Sequence, residues 1–125
     1  MDIIMDLKPK FSIEDSEYEE IKDEVLDIVK KLQERGITFD GHYKVGFYSH
    51  MISMIKRLRD GEKVMEISQD ALSEIDQYSI QAAEEVLIPL FTKYDATVDK
   101  SEVFLVSIHI QAAKNNIERS EEDGK

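Results

Sequence analysis

Apolar side chains recur along most of this chain at spacings of three and four residues, the repeat of one face of an α-helix. The clearest stripe is Tyr18, Ile21, Val25, Ile28 and Leu32. Ser12 with Asp15 three residues on resembles a capping box at its start, and Gly36 suits a left-handed cap at its end. Its charges are polarised: eight acids and one lysine fall within 12–27, while Lys30, Lys31 and Arg35 gather near the end. That polarity follows the helix dipole, which is preferred here to an acidic docking surface. A second helix is predicted from near Asp40 to Arg59, striped by Tyr43, Phe47, His50, Met51, Met54 and Leu58 and stopped by Gly61. A short helix or turn follows over 69–76. The fourth, over 78–94, carries Ile80, Ala83, Leu87, Leu90 and Tyr94 on one face. Pro89 lies inside it and cannot donate to the carbonyl of Glu85, so a kink or a break is expected there. The last helix opens with Asp99 and Glu102 and continues through Leu105, Val106, His109, Ala112 and Ala113. No stretch sustains the alternation of a strand. The pattern predicts an all-α fold of five helices in one bundle. The organisation expected is a loosely held arm over 1–11, one helical domain over 12–117 and a polar, fraying tail over 118–125.

Composition narrows the function more than the fold. With 16 Lys plus Arg against 27 Asp plus Glu, the net charge of −11 argues against direct binding to nucleic acid, whose phosphates attract a basic surface. The absence of cysteine excludes disulfides, thiolate catalysis and cysteine-based metal centres. The longest apolar run, 86–91, is six residues, far short of the roughly 20 that span a membrane. Acids at Asp2 and Asp6 stand where a signal peptide carries basic residues, so a cytoplasmic location is expected.

Two of the three histidines occupy unusual positions. His50 lies on the apolar stripe of the second helix, with Arg57 two turns further along that face. His109 lies on the apolar face of the last helix, with Glu102 two turns before it. A buried imidazole needs a hydrogen-bond partner or carries a desolvation cost of about 1–3 kcal/mol. The plain account is that both are satisfied core or rim residues. A metal site from His42, His50 and His109 is disfavoured, because no two-histidine-plus-glutamate pattern is present. Ser49 and Ser107 sit one and two residues from these histidines, so they face away on a helix and make no nucleophile–base pair. Phosphate-cradling glycine loops are also absent. The expectation is a protein that is no enzyme and takes no cofactor or metal.

The segment 49–57 (SHMISMIKR) resembles the first histidine motif of the PTS regulation domain, the helical module that receives phosphoryl groups in the bacterial phosphoenolpyruvate:sugar phosphotransferase system. In that motif an arginine follows the histidine by two turns, as Arg57 follows His50. The segment 99–113 (DKSEVFLVSIHIQAA) resembles the second motif, in which a helix-opening Glu precedes the histidine by seven residues, as Glu102 precedes His109. The resemblance extends over about 21–116, and Ser49 stands where the family often has Asp. It implies a five-helix bundle, often a homodimer, of the kind found in antiterminators and transcriptional activators of sugar operons. It further implies His50 and His109 as phosphoacceptors edging one cleft, with Arg57 and Glu102 supporting them. The implied partners are an HPr-like phosphocarrier or a sugar-specific enzyme II component, and a larger regulator carrying the same domain. A single stand-alone copy is expected, with no direct contact to nucleic acid or membrane.

The chemistry is sound on general grounds. Neutral imidazole is nucleophilic near physiological pH, and a phosphoryl group brings about −1.5 to −2 charges to an apolar place. Arg57 is the nearest candidate to receive that charge, and Lys56, Arg59 and Lys63 surround it in sequence, although solvated charge at a helix end accounts for that cluster equally well. Two other readings are a helical interaction protein whose histidines never react and a histidine phosphotransfer domain. The latter usually has Lys three residues after its histidine, whereas Ser53 and Ala112 stand there.

Overall fold

Four of the expected amphipathic segments fold as helices close to where their stripes place them. The computed structural model describes residues 3–62 and 74–123, with backbone alone at His42 and over 118–123. Its helices are α1 (Ile3–Leu7), α2 (Asp15–Glu34), α3 (Gly41–Asp60), α4 (Gln77–Lys93) and α5 (Lys100–Asp123), and no strand occurs among the described residues. None of these helices is long and apolar enough to cross a membrane. The short element expected over 69–76 falls outside the described residues except for a turn at 74–75 that leads into Asp76.

The ends of the helices follow from local chemistry. At the close of α2, Ile37 N–H donates to Leu32 O at 3.0 Å and Gly36 N–H to Gln33 O at 2.9 Å, with Gly36 at φ +80. This is the double bond of a Schellman cap, and glycine takes its left-handed residue without a Cβ penalty. Gly61 repeats the device on α3, where Glu62 N–H reaches Arg57 O at 2.8 Å. Asp76 caps α4 by accepting from Ser79 N–H at 2.7 Å, and Asp99 caps α5 by accepting from Ser101 N–H at 2.9 Å.

Several expectations need correction. The start of α2 is capped by Glu14 rather than Ser12: Glu14 N–H donates to Glu17 Oε1 at 3.0 Å, and Asp15 pairs with Lys8. Ile13 and Tyr18 flank this start at the positions of a hydrophobic staple, both buried, so the helix begins only after Ile13 has entered the core. Within the arm expected over 1–11, residues 3–7 are helical and packed. Their segment α1 packs on α3 and buries Ile4, 1% exposed, together with Leu7. At the other end the helical backbone of α5 continues past Glu118 to Asp123. Pro89 does not break α4. Both Pro89 and Glu85 face solvent, so water can take up the carbonyl that proline leaves without a donor.

In the packing, α2 lies against α3 and α4, while α5 lies against α3 and α4. The helix α3 touches three neighbours and is buried beyond one stripe, with Tyr48, Ile52 and Ile55 joining Phe47, Met51 and Met54 in the core. A polar cluster ties α2, α3 and the end of α4 together on another side. There the buried Glu24 accepts from Tyr94 Oη at 2.6 and 2.8 Å and lies 2.8 Å from Lys93 Nζ. Arg59 reaches Glu20 at 2.8 Å and Lys56 reaches Glu17 at 2.8 Å. Lys56 and Arg59 thus fasten α3 to the acidic face of α2, and Lys63 lies outside the described residues.

Candidate functional site

The seam between α3 and α5 brings the two singled-out histidines together. Their rings are 5.2 Å apart between centroids and tilted by 41°. At Gly46 the helices leave room for a small side chain, since a Cβ there would make an ordinary contact with His109 Cε1 at 3.8 Å. Beneath the pair lies Phe47, edge-on to His109 at 6.0 Å and stacked on Phe39 at 4.1 Å with only 5° between the rings. Phe39 and Phe47 form the apolar floor of the site. The side chain of His42 lies outside the described residues.

One end of the seam is held by a fork. Arg57 donates from Nε to Glu102 Oε2 at 3.0 Å and from Nη2 to Glu102 Oε1 at 2.8 Å, and from Nη1 to Ser53 Oγ at 2.8 Å. The guanidinium geometry matches a carboxylate in this bidentate form. Glu102 is 3% exposed, and its place in the first turn of α5 favours the negative charge as well. Each pair spaced two turns apart in sequence has closed across the seam instead of along its own helix. The basic group of α3 meets the acidic group of α5, and imidazole meets imidazole.

Both imidazoles are held in the neutral form. Burial, then the neighbouring His109 and the charge of Arg57, push the pKa of His50 down to about 4. Burial alone lowers that of His109. Among the described residues the buried Nε2 of His50 has no hydrogen-bond partner, which the plain core account leaves unexplained. Among the described residues no three His, Asp or Glu side chains converge where a metal would sit.

The depressed pKa has a consequence for stability. Unfolded His50 binds a proton below about pH 6.5 while the folded group stays neutral to about pH 4, so acid favours unfolding within that window. Lowering the pH from 7 to 5 should therefore remove about 2 kcal/mol through this residue. Urea unfolding of the protein and of the His50→Gln variant at both pH values checks it. Equal losses in the two proteins would contradict the assignment.

Sequence reasoning missed Ser53, whose only signal was its place between His50 and Arg57 on one helical face. It also missed the stacked pair of phenylalanines, because Phe39 precedes α3 and belongs to no stripe.

No curated protein sequence matches the chain. A crystal structure of a PRD-containing transcription regulator from Lactobacillus casei ATCC 334 is similar to it with a TM-score of 0.72, at 19% sequence identity, over 92% of this chain and 97% of that one. At that identity the likeness is one of fold. The sequence model of the PRD domain matches residues 23–113, a span that holds α3, α4, both histidines and the Arg57–Glu102 fork. The chain belongs to the PRD domain family.

Proposed function

We propose that this domain is a phosphorylation-responsive regulator of the bacterial phosphoenolpyruvate:sugar phosphotransferase system, with His50 and His109 as the phosphoacceptors. The observation that carries this reading is the pairing of two neutral imidazoles, 5.2 Å apart, on a seam that also holds the Arg57–Glu102 fork. Neutral imidazole offers a lone pair to phosphorus, and Nε2 of His50 has that lone pair unengaged when the ring proton sits on Nδ1. In transfer from an HPr-like phosphocarrier or a sugar-specific enzyme II component, the donor's phosphorus–nitrogen or phosphorus–sulfur bond breaks as the new phosphorus–nitrogen bond forms. The incoming group places about −1.5 to −2 charges on the seam between α3 and α5. A shift of 1.4 kcal/mol in a subunit contact changes its constant tenfold, so a small rearrangement alters self-association or docking to a larger regulator. Val45 and Ile108 stand exposed beside Gly46 and His109 and supply apolar surface for such a contact. The output is control of transcription or antitermination of a sugar-utilisation operon through protein contact.

The test is incubation with phosphoenolpyruvate, enzyme I and HPr, followed by intact-mass measurement under alkaline conditions that preserve phosphohistidine. The protein should gain one or two phosphoryl groups, each single His→Ala variant should lose one site, and the double variant should gain none. Sedimentation with and without the donor reads the association step. Uptake that persists in the double variant would remove both residues as acceptors.

A further inference from the structure

We propose that Ser53 is a binding residue for the phosphoryl group on His50, completing with Arg57 a receptor that His109 lacks. The proposal rests on the reading above that His50 is an acceptor. A serine hydroxyl has one proton and two lone pairs. The Oγ of Ser53 spends a lone pair on Arg57 Nη1 at 2.8 Å, and its own proton makes no hydrogen bond among the described residues. His50 and Ser53 are three residues apart on α3 and Arg57 is four further on, so all three lie along one face. Ser53 is half-buried, open enough to meet an incoming group and sheltered enough for the bond to count.

The donor arithmetic fits the ligand. Arg57 has five N–H donors, of which two go to Glu102 and one to Ser53. Among the described residues two remain unengaged, and the Ser53 hydroxyl makes a third, matching the three oxygens of a phosphoryl group. The guanidinium therefore receives the phosphoryl group without leaving Glu102, and the fork serves to position it. The charge of Arg57 is already felt at the His50 ring, whose basicity it lowers. On α5 the position corresponding to Ser53 is Ala112, which carries no hydroxyl. Ser107 is fully buried and donates to Phe104 O at 2.6 Å. The two histidines are thus unequal, and the phosphoryl group on His50 is the one held.

The experiment compares decay of the phosphorylated protein. In a His109→Ala background, phosphorylated through enzyme I and HPr, the modified residue is located by fragmentation and loss of the group is followed by intact mass at pH 8. Ser53→Ala should shorten the lifetime of phosphorylated His50 about tenfold, the effect of losing one hydrogen bond to a charged group. Ser53→Thr keeps the hydroxyl and should restore it. In a His50→Ala background Ser53→Ala should leave the lifetime at His109 unchanged. Circular dichroism and thermal midpoints of the Ser53 variants guard against a folding defect. Equal lifetimes with and without the Ser53→Ala substitution in the His109→Ala background overturn the role of Ser53 alone. Absence of any phosphoryl group on His50 overturns this proposal together with the reading beneath it.

Discussion

Alanine at Glu24 should lower the stability of the domain by about 3–5 kcal/mol, a large share of the roughly 5–15 kcal/mol that holds such a domain folded. The carboxylate is 8% exposed and serves three groups at once: the Tyr94 hydroxyl at 2.6 and 2.8 Å, Lys93 at 2.8 Å and Arg59 at 3.8 Å. Without it, Arg59 keeps Glu20, but its buried Nε has no hydrogen-bond partner among the described residues and the tyrosine hydroxyl loses its acceptor. Leaving the half-buried Arg59 short of a counter-charge and the Tyr94 hydroxyl without its acceptor costs more than the pairs themselves contribute. Burial and the hydrogen bond to Glu24 raise the Tyr94 pKa, so the phenol stays a donor at any physiological pH. Glu24→Gln keeps an acceptor for Tyr94 and should cost less than half as much. Guanidinium unfolding measures both variants, and a loss below about 1 kcal/mol for Glu24→Ala would show that solvent around Lys93 already screens the cluster.

Phe47→Ala should cost a similar amount, about 3–5 kcal/mol, for a different reason. Its ring is fully buried and stacks on Phe39, and it lies edge-on to Tyr48 at 6.4 Å as well as to His109. Truncation leaves a cavity that the surrounding helices cannot close by a side-chain shift alone. The site should register the change. Burial holds the His109 pKa down, so water admitted under the ring should raise it toward the ordinary value near 6.5. Calorimetry gives the first quantity and a proton NMR titration of the imidazole C–H signals gives the second. An unshifted titration with full loss of stability would mean that the cavity stays dry.

These two side chains illustrate what the sequence could and could not disclose. Phe47 was legible, because it falls on a stripe of period 3.6 and such a stripe marks a buried face. His50, Arg57, Glu102 and His109 were legible as two pairs, each spaced by two helical turns. That Arg57 would meet Glu102, 45 residues away, depends on which helices pack together, and no local pattern records it. Glu24 was hidden among the eight acids of 12–27, indistinguishable in type from neighbours that face water. Only the approach of Arg59, Lys93 and Tyr94 from two other segments sets it apart. The same cause explains the stretches misread at the ends. Ile4 and Leu7 are too few to show a period, yet α3 offers them a surface. Ser12 has the right chemistry for a cap, but the burial of Ile13 moves the helix start past it.

The chain forms two helical hairpins, α2 with α3 and α4 with α5, each closed by a connection of six residues, 35–40 and 94–99. Within a hairpin the partners are consecutive helices, and the site lies in neither hairpin alone. His50, Ser53 and Arg57 belong to the first, and Glu102 and His109 to the second. With both hairpins formed but not yet docked, His50, Ser53 and Arg57 would share a face of α3, while Glu102 would not yet hold the guanidinium and His109 would not yet meet His50. The far-ultraviolet spectrum of such an undocked state would look native, since its helices would already be formed. Joining the halves closes contacts such as Arg57 to Glu102, 45 residues apart, the slow class of event in folding. Closure of the Arg57–Glu102 fork and the approach of the two imidazoles therefore report hairpin docking, on a timescale separate from that of helix formation.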